Sequence, residues 1–387
     1  MPRVIDCDQH LYEYRGLWEE HIDPEMRHEA IRFVDDAQGH VHVCWREHVL
    51  GVADVQTPGE TDAIGERRRR EREGLPPQAR YDEILPRDYW EPRARRDRLA
   101  ALGVDEAMLF PNYGLGWERI LSRDLRALCA NMSAWNRWCE AVVAEGEGRL
   151  HPVAHLTLRD PRWLEQELGR LSRAGVRAAM VAPAQVEGRA LSHPDLDRVW
   201  AAFADHGISP CFHVADQPKV FDPAWYADRD DRGVFAIDTV LLYVPAALAL
   251  TDLILHGVFE RHPELRVGVI ELSAVWVPLF LMMLDGGSEF VRRLDGRDSP
   301  LRLRPSDYFR RQVRVASFAY ELPRNLARQL PGADLLMCCS DYPHSEGTAH
   351  PLEDYAAGKL GVRPDEAPGL FRENAAFLLH RDGSPPT

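Results

Sequence analysis

A chain of 387 residues with 45% hydrophobic and 28% charged residues is long enough for one large core or two medium ones, and its composition excludes a disordered or fibrous chain. A formal net charge of −14 argues against a nucleic-acid partner, because phosphate backbones are held by concentrated Lys and Arg. Seven cysteines without a C-x-x-C pair, a start (Met1-Pro-Arg-Val-Ile-Asp) lacking a signal peptide's basic and apolar regions, and apolar stretches broken by Pro245 and Pro278 lead to the expectation of a cytoplasmic protein with no disulfide framework and no membrane contact.

Eight short apolar runs alternate with amphipathic stretches along the chain. Strand one is read at Val4 to Cys7. An insertion from Tyr14 to Glu91 follows, with a hairpin predicted at Val41 to Val52. Its basic run, Arg67 to Arg70, is flanked by acids and reads as a solvated helix. A helix at Pro92 to Leu102 leads to strand two, Glu106 to Phe110. The alternation continues with a helix at Arg119 to Ala144, strand three at His151 to Leu156, a helix at Pro161 to Ala174 and strand four at Arg177 to Val181. Next come a helix at Asp195 to His206, strand five at Ser209 to His213, a helix at Ala236 to Arg261 and strand six at Arg266 to Leu272. A helix at Val277 to Leu294, strand seven at Gln312 to Ser317, a helix at Leu322 to Leu330 and strand eight at Asp334 to Cys339 complete the series. Closing helices are expected over Pro351 to His380, with Asn374 capping the last, and residues 381–387 read as a loose tail. Eight such units predict an α/β fold, a single (β/α)8 TIM-like barrel over residues 1–380, with 14–91 as an insertion on the catalytic face. No G-x-G-x-x-G turn follows strand one, so no dinucleotide site is expected.

Side chains that bind metals cluster at the carboxyl ends of these strands. Asp8 and His10 follow strand one, His213 ends strand five, Glu271 lies at the end of strand six and Asp341 follows strand eight. In a closed barrel those ends converge on one rim. Residues two apart on an extended run point the same way, so Asp8 and His10 are placed to share one ion. Each has an ordinary alternative: a core histidine for His213, a helix cap for Asp341, a hydrogen bond to a ligand imidazole for Glu271. Their joint position at strand ends favours the metal. Glu271 adds weight, since a carboxylate following Val-Gly-Val-Ile is costly to bury without a cation or several donors.

Four segments carry a family resemblance: Val4-Ile-Asp-Cys-Asp-Gln-His-Leu-Tyr-Glu13, Gly257-Val-Phe-Glu-Arg-His-Pro-Glu-Leu-Arg-Val267, Ile270-Glu-Leu-Ser-Ala-Val-Trp276 and Ser340-Asp-Tyr-Pro-His-Ser-Glu-Gly347. They resemble the amidohydrolase-related superfamily, which includes aminocarboxymuconate semialdehyde decarboxylase and the resorcylate decarboxylases, and the resemblance spans nearly the whole chain. It implies a (β/α)8 barrel with one divalent metal held by Asp8, His10, His213 and Asp341. Zinc is the first expectation, with manganese or iron as alternatives; Asp8, where many relatives have His or Glu, favours a harder ion such as Mn(II).

The characterised decarboxylases of that group usually carry a His at the end of strand six, where this chain has Glu271. This departure directs the expected reaction to hydrolysis of a C–N or C–C bond beside a carbonyl of a small acidic or aromatic substrate. Metal-bound water is then the nucleophile, and Asp341 and Glu271 are the catalytic residues that move protons. Non-oxidative decarboxylation of an aromatic or unsaturated carboxylic acid is the alternative, and a non-catalytic, metal-stabilised barrel is a third. Asn112, Tyr113, His155, Trp276, Phe318, His344 and Glu346 are expected to shape the substrate site. A homodimer is expected from the resemblance and from the prevalence of symmetric oligomers.

Overall fold

The computed structural model describes residues 3–216, 220–226, 236–296, 301–330 and 334–381. Its first strand, β1 (Ile5–Leu11), is buried along its whole length although half of it is polar. Strand one therefore continues past Cys7, and Asp8 and His10 lie within it rather than after it. The apolar pattern stopped early because the second half of β1 carries polar groups into the interior.

Between β1 and the helix Pro92–Leu102, three strands, β2 (Arg32–Asp35), β3 (Val41–Trp45) and β4 (His48–Val52), form an antiparallel sheet. Val41, Val43 and Trp45 are buried on alternate positions and join the main core, as a sheet with one covered face requires. The basic run lies on the helix Thr61–Arg72, where Arg69 pairs with Glu66 and Glu73.

The remaining strands are β5 (Glu106–Pro111), β6 (Leu150–His155), β7 (Ala178–Met180), β8 (Ser209–His213), β9 (Val267–Ile270), β10 (Val313–Ser317) and β11 (Leu336–Cys338). With β1 they make an eight-stranded parallel sheet in the order β1-β5-β6-β7-β8-β9-β10-β11. The ring closes where the His10 N–H donates to the Tyr342 carbonyl at 2.8 Å and the Asp341 N–H to the Asp8 carbonyl at 2.9 Å. Alternate residues of each strand face inward or outward. Met108, Val153, Met180, Cys211, Ile270 and Met337 fill the barrel, while Leu109, Ala154, Ala179, Phe212 and Val269 pack in the other core cluster, with the helices.

The helices end where local chemistry stops them. Asp124 and Asp160 cap Leu125–Glu145 and Pro161–Ala174 by accepting backbone N–H bonds. The helix expected from Arg119 begins at Leu125, after a separate turn at Glu118–Leu121. The single helix expected over Ala236 to Arg261 is three: Ala236–Val240, Val244–Leu255 and Val258–Arg261. Pro245 starts the second and Gly257, at φ 75°, separates the last two. Asn374 is no cap: it lies within helical backbone, and its side chain donates to Asp334 and the Leu336 carbonyl and accepts from Arg314. The expected tail beyond Arg381 lies outside the described residues. Among the described residues no helix is long and apolar enough to cross a membrane.

Candidate metal centre

One irregularity in β1 aims the site. Opposite β5, the register shifts between Asp6 and Gln9, so that one extra residue is accommodated. Strict alternation from Ile5 and Cys7, which face the barrel interior, would have turned His10 outward. The bulge reverses the parity. Gln9, paired with Leu109, now faces the helices and reaches Arg95, while His10, paired with Phe110, faces inward.

His213 ends β8, Glu271 is the first residue beyond β9 and Asp341 lies just beyond β11. All meet β1 at the rim. His10 Nε2 lies 3.5 Å from Asp8 Oδ1 and 3.2 Å from Asp341 Oδ1. His213 Nε2 lies 3.5 Å from Asp8 Oδ1 and 3.3 Å from Glu271 Oε2. Single ligand atoms of Asp8, His10, His213 and Glu271 fall within 4.8 Å of one another, as do those of His10, Glu271, Asp341 and His344. Glu271 belongs to both groups, and His344 joins the cluster.

The donor set fits a cation. Among the described residues, both Asp8 oxygens, both Asp341 oxygens, Glu271 Oε2 and His10 Nε2 are buried without a hydrogen bond. Burying such atoms unpaired is costly, and one ion satisfies them together. The imidazoles are set for ligation as well. The Nδ1–H of His10 donates to the Pro111 carbonyl at 3.0 Å and that of His213 to the Val214 carbonyl at 2.8 Å, which leaves each Nε2 lone pair facing the cluster.

Electrostatics agree with crowding of negative charge. Burial, then the charges of Asp341 and Asp8, push Glu271 well above the usual carboxyl range. Burial opposes the charged form of His10, yet the nearby carboxylates of Asp341 and Asp8, 3.2 and 3.5 Å away, outweigh it and drive the imidazole up to about 10. Burial likewise opposes ionisation of Asp8 and Asp341, but histidines (His10 and His213 for Asp8, His344 and His10 for Asp341) hold both below the ordinary range. Three acids around two imidazoles thus retain protons that a divalent ion would replace.

Backbone strain lies at the same places. Glu271 (φ 53°) and Asp341 (φ 56°) both adopt the left-handed region disfavoured for residues with a Cβ. The turn after Asp341 is held by the Thr348 N–H on the Ser340 carbonyl, and Gly347 packs so closely that a Cβ there would lie 2.5 Å from the Asp341 carbonyl oxygen. Past Glu271, Ser273 Oγ and the Ala274 N–H donate to the Glu321 carboxylate.

Glu321 is one of three buried acids that hold the rim and that local sequence pattern does not reveal. Glu13 accepts the backbone N–H groups of Asn112, Tyr113 and Gly114 after β5; burial outweighs these bonds and pushes it up to about 7. Asp6 accepts from Gln9 Nε2, the Ser340 N–H and Ser340 Oγ, which ties β1 to the loop bearing Asp341. Apart from Gln9, these partners lie about 50 to over 300 residues away, beyond any spacing rule; the one available signal was the position of Asp6 and Glu13 inside the Val4 to Glu13 segment.

The residues expected around the substrate divide by position. His344 stacks on His10 with ring centroids 3.8 Å apart, places Nδ1 2.8 Å from Asp341 Oδ1 and meets Asn112 Oδ1 through Nε2 at 2.9 Å. His155 is buried beside Trp117, with Nε2 3.3 Å from Glu118. Phe318 borders the barrel interior and stacks on Tyr320. Tyr113 points its hydroxyl at the Asp54 carbonyl and Tyr81, toward the insertion. Trp276 donates to the Leu272 and Ser273 carbonyls and packs on Tyr243 and Phe280. Glu346 is exposed and accepts from Ser345. A cavity of about 550 Å³ lies elsewhere, around Arg324, Leu336 and Pro368 at the amino end of β11.

The amidohydrolase family profile matches residues 5–381. No curated protein matches the chain. Among solved structures the chain is similar to the amidohydrolase map2389c of Mycobacterium avium subsp. paratuberculosis K-10, with 24% identity over 98% of this chain and 99% of that one and a TM-score of 0.77. It is similar to the 5-carboxyvanillate decarboxylase LigW2 of Novosphingobium aromaticivorans DSM 12444, solved with manganese and 3-methoxy-4-hydroxy-5-nitrobenzoic acid, with 21% identity over 84% and 100% of the two chains and a TM-score of 0.63. A third is the 2,6-dihydroxybenzoate decarboxylase from Rhizobium, with 17% identity over 99% and 100% and a TM-score of 0.62. At these identities the likeness shows the fold.

Proposed function

The chain belongs to the amidohydrolase family, and from that premise we propose that it is a divalent-metal-dependent decarboxylase of an aromatic carboxylic acid. The observation that carries the proposal is the convergence of unpaired buried atoms of Asp8, His10, Glu271 and Asp341 on one point of the barrel rim. The choice of reaction is supported by the decarboxylases among the similar structures, one solved with manganese and a hydroxybenzoate derivative. The sequence-based preference for hydrolysis rested on Glu271 alone, and decarboxylation is the better-supported reading.

Asp8, His10, His213 and Asp341 would hold the ion, which supplies an anchor for substrate oxygens and withdraws charge from them. The two carboxylates of Asp8 and Asp341 beside the two imidazoles suit Mn(II) better than the zinc first expected. Glu271 faces the approach to the site: its side chain is 12% exposed, whereas those of Asp8, His10, His213 and Asp341 are fully buried. We assign it the proton delivered to the ring carbon that bears the carboxylate. The electrons of the broken C–C bond replace those used in the new C–H bond, CO2 leaves, and Glu271 regains a proton from water. Asp341, between His10 and His344, holds the imidazoles in place, and Asn112 fixes the far nitrogen of His344. Seven free cysteines, six of them buried, suit a reducing compartment, and we place the enzyme in the cytoplasm.

Hydrolysis is the second reading, favoured by the acid at position 271. The two separate when the manganese-loaded protein is incubated with a panel of hydroxybenzoates and released CO2 is measured. Stoichiometric CO2 with the decarboxylated phenol is expected. Cleavage of amide or ester substrates with no CO2 from any benzoate would overturn the proposal.

A further inference from the structure

Arg95, on the helix Pro92–Leu102, is fully buried, and among the described residues it is the only arginine or lysine that is. A guanidinium is expensive to take out of water. Burial pushes this one below its ordinary range, against the support of Tyr342, Asp88, Tyr89 and Asp6. Its bonds offset that only in part: Nε donates to the Asp88 carbonyl at 2.7 Å and Nη1 to Gln9 Oε1 at 3.3 Å, while Nη2 is buried without a hydrogen bond. Replacing a buried charge and its partner by well-packed apolar side chains is often neutral or stabilising, so the arginine calls for an explanation other than holding the fold together.

Two of the residues Arg95 touches are chain neighbours of metal ligands. Gln9 precedes His10 in β1, and Tyr342 follows Asp341 beyond β11. The guanidinium carbon lies over the Tyr342 ring, 5.0 Å from its centre, and the Tyr342 hydroxyl donates to Asp88 Oδ2 at 2.7 Å, so Asp88 receives both the arginine and the tyrosine. The Gln9 amide is fixed from both ends. Its Oε1 meets a group that can only donate, and its Nε2 donates to Asp6 Oδ2 at 2.9 Å, an oxygen that also accepts from Ser340 Oγ. Gln9 and Tyr342 pair through their backbones as well, in an isolated parallel bridge. From the face of β1 opposite the cluster, Arg95 thus bonds the bulge that turns His10 inward and covers the turn that holds Asp341. A one-residue slip at that bulge would turn His10 outward, and an anchored Gln9 opposes the slip.

We infer that Arg95 is a positioning residue of the metal centre: bonded to Gln9 and lying over Tyr342, its guanidinium fixes β1 and the turn after β11 in the registers that bring His10 and Asp341 onto one ion. The inference rests on the metal reading of the cluster and is independent of the reaction assigned above. Arg98 provides an internal comparison. It lies on the same helix with its guanidinium carbon 5.6 Å from the centre of the same Tyr342 ring, but among the described residues it makes no hydrogen bond to Gln9.

Titration calorimetry with Mn(II) on the full, metal-free chain tests it. Arg95→Met should weaken Mn(II) binding by about 10- to 100-fold, the loss typical of removing a group that orients a ligand, with the far-UV spectrum and cooperative unfolding kept. Arg98→Met should bind as wild type does. Arg95→Lys returns the charge and one donor without the planar fork, and it should recover part of the loss. Gln9→Met cuts the same link from its other end and should show the same weakening, so the test stands even where Arg95→Met does not fold. An Arg95→Met or Gln9→Met variant that folds and binds Mn(II) like wild type, an equal loss in Arg98→Met, or an Arg95→Lys variant as weak as Arg95→Met would each overturn the inference while leaving the metal reading in place. Wild type that binds no divalent ion would overturn both.

Discussion

Glu271 concentrates the chemistry at the level of a single residue. Its Oε2 is buried and unpaired, its backbone is strained at φ 53°, and it is the cluster's acid nearest to solvent. Glu271→Gln preserves the shape but removes the transferable proton. A proton donor predicts a fall in kcat of about 100-fold or more with bound metal little changed, read by steady-state kinetics beside elemental analysis. Losses of rate and metal in proportion would make Glu271 a ligand instead. Retained activity would end its role in catalysis.

At the level of elements, the site depends on how loops leave the strands. The bulge in β1 turns His10 inward, and the turn after β11 holds Asp341 in the left-handed region. Gly347 makes that turn possible, since a Cβ there would lie 2.5 Å from the carbonyl oxygen of Asp341 and 2.7 Å from that of Ser340, both of them backbone atoms. Gly347→Ala must therefore displace the loop. It should destabilise the protein by roughly 1–3 kcal/mol and weaken metal binding, measured by thermal unfolding and by metal titration. A variant with native stability and affinity would show that the loop yields without moving Asp341. Glu13 does similar work one loop away, where it gathers three N–H groups after β5 and sets Asn112 beside His344.

For the whole molecule, metal and protons compete for one cluster, so stability depends on pH differently with and without the ion. In the metal-free fold, burial and the neighbouring acids raise Glu271 above its ordinary value of 4.5, so the folded state keeps a proton that the unfolded chain releases; stability falls as pH rises from there. For His10, burial acts against the charge, but Asp341 and Asp8 raise it to about 10; the stability it contributes is complete below 6.5 and is lost as pH rises through 10. Metal-free protein should accordingly lose thermal stability steadily between about pH 5 and 10. Saturating Mn(II) should flatten that slope and add ~2.7 kcal/mol at a hundredfold excess over Kd. Parallel slopes in thermal scans with and without the ion would refute the linkage. At this scale much was readable in the sequence: eight apolar runs with intervening helices foretold the barrel, and Asp8, His10, His213 and Asp341 were placed at strand ends that a barrel brings together. Hydrophobic periodicity is a local property, recorded in neighbouring residues. Only the tertiary structure decided the bulge that re-aims His10, the entry of His344 into the cluster that the sequence had already drawn around Glu271, and the clamping of rim loops by Asp6, Glu13 and Glu321. A buried polar group is satisfied by whatever the fold brings beside it, and here the partners lie mostly about 50 to over 300 residues away.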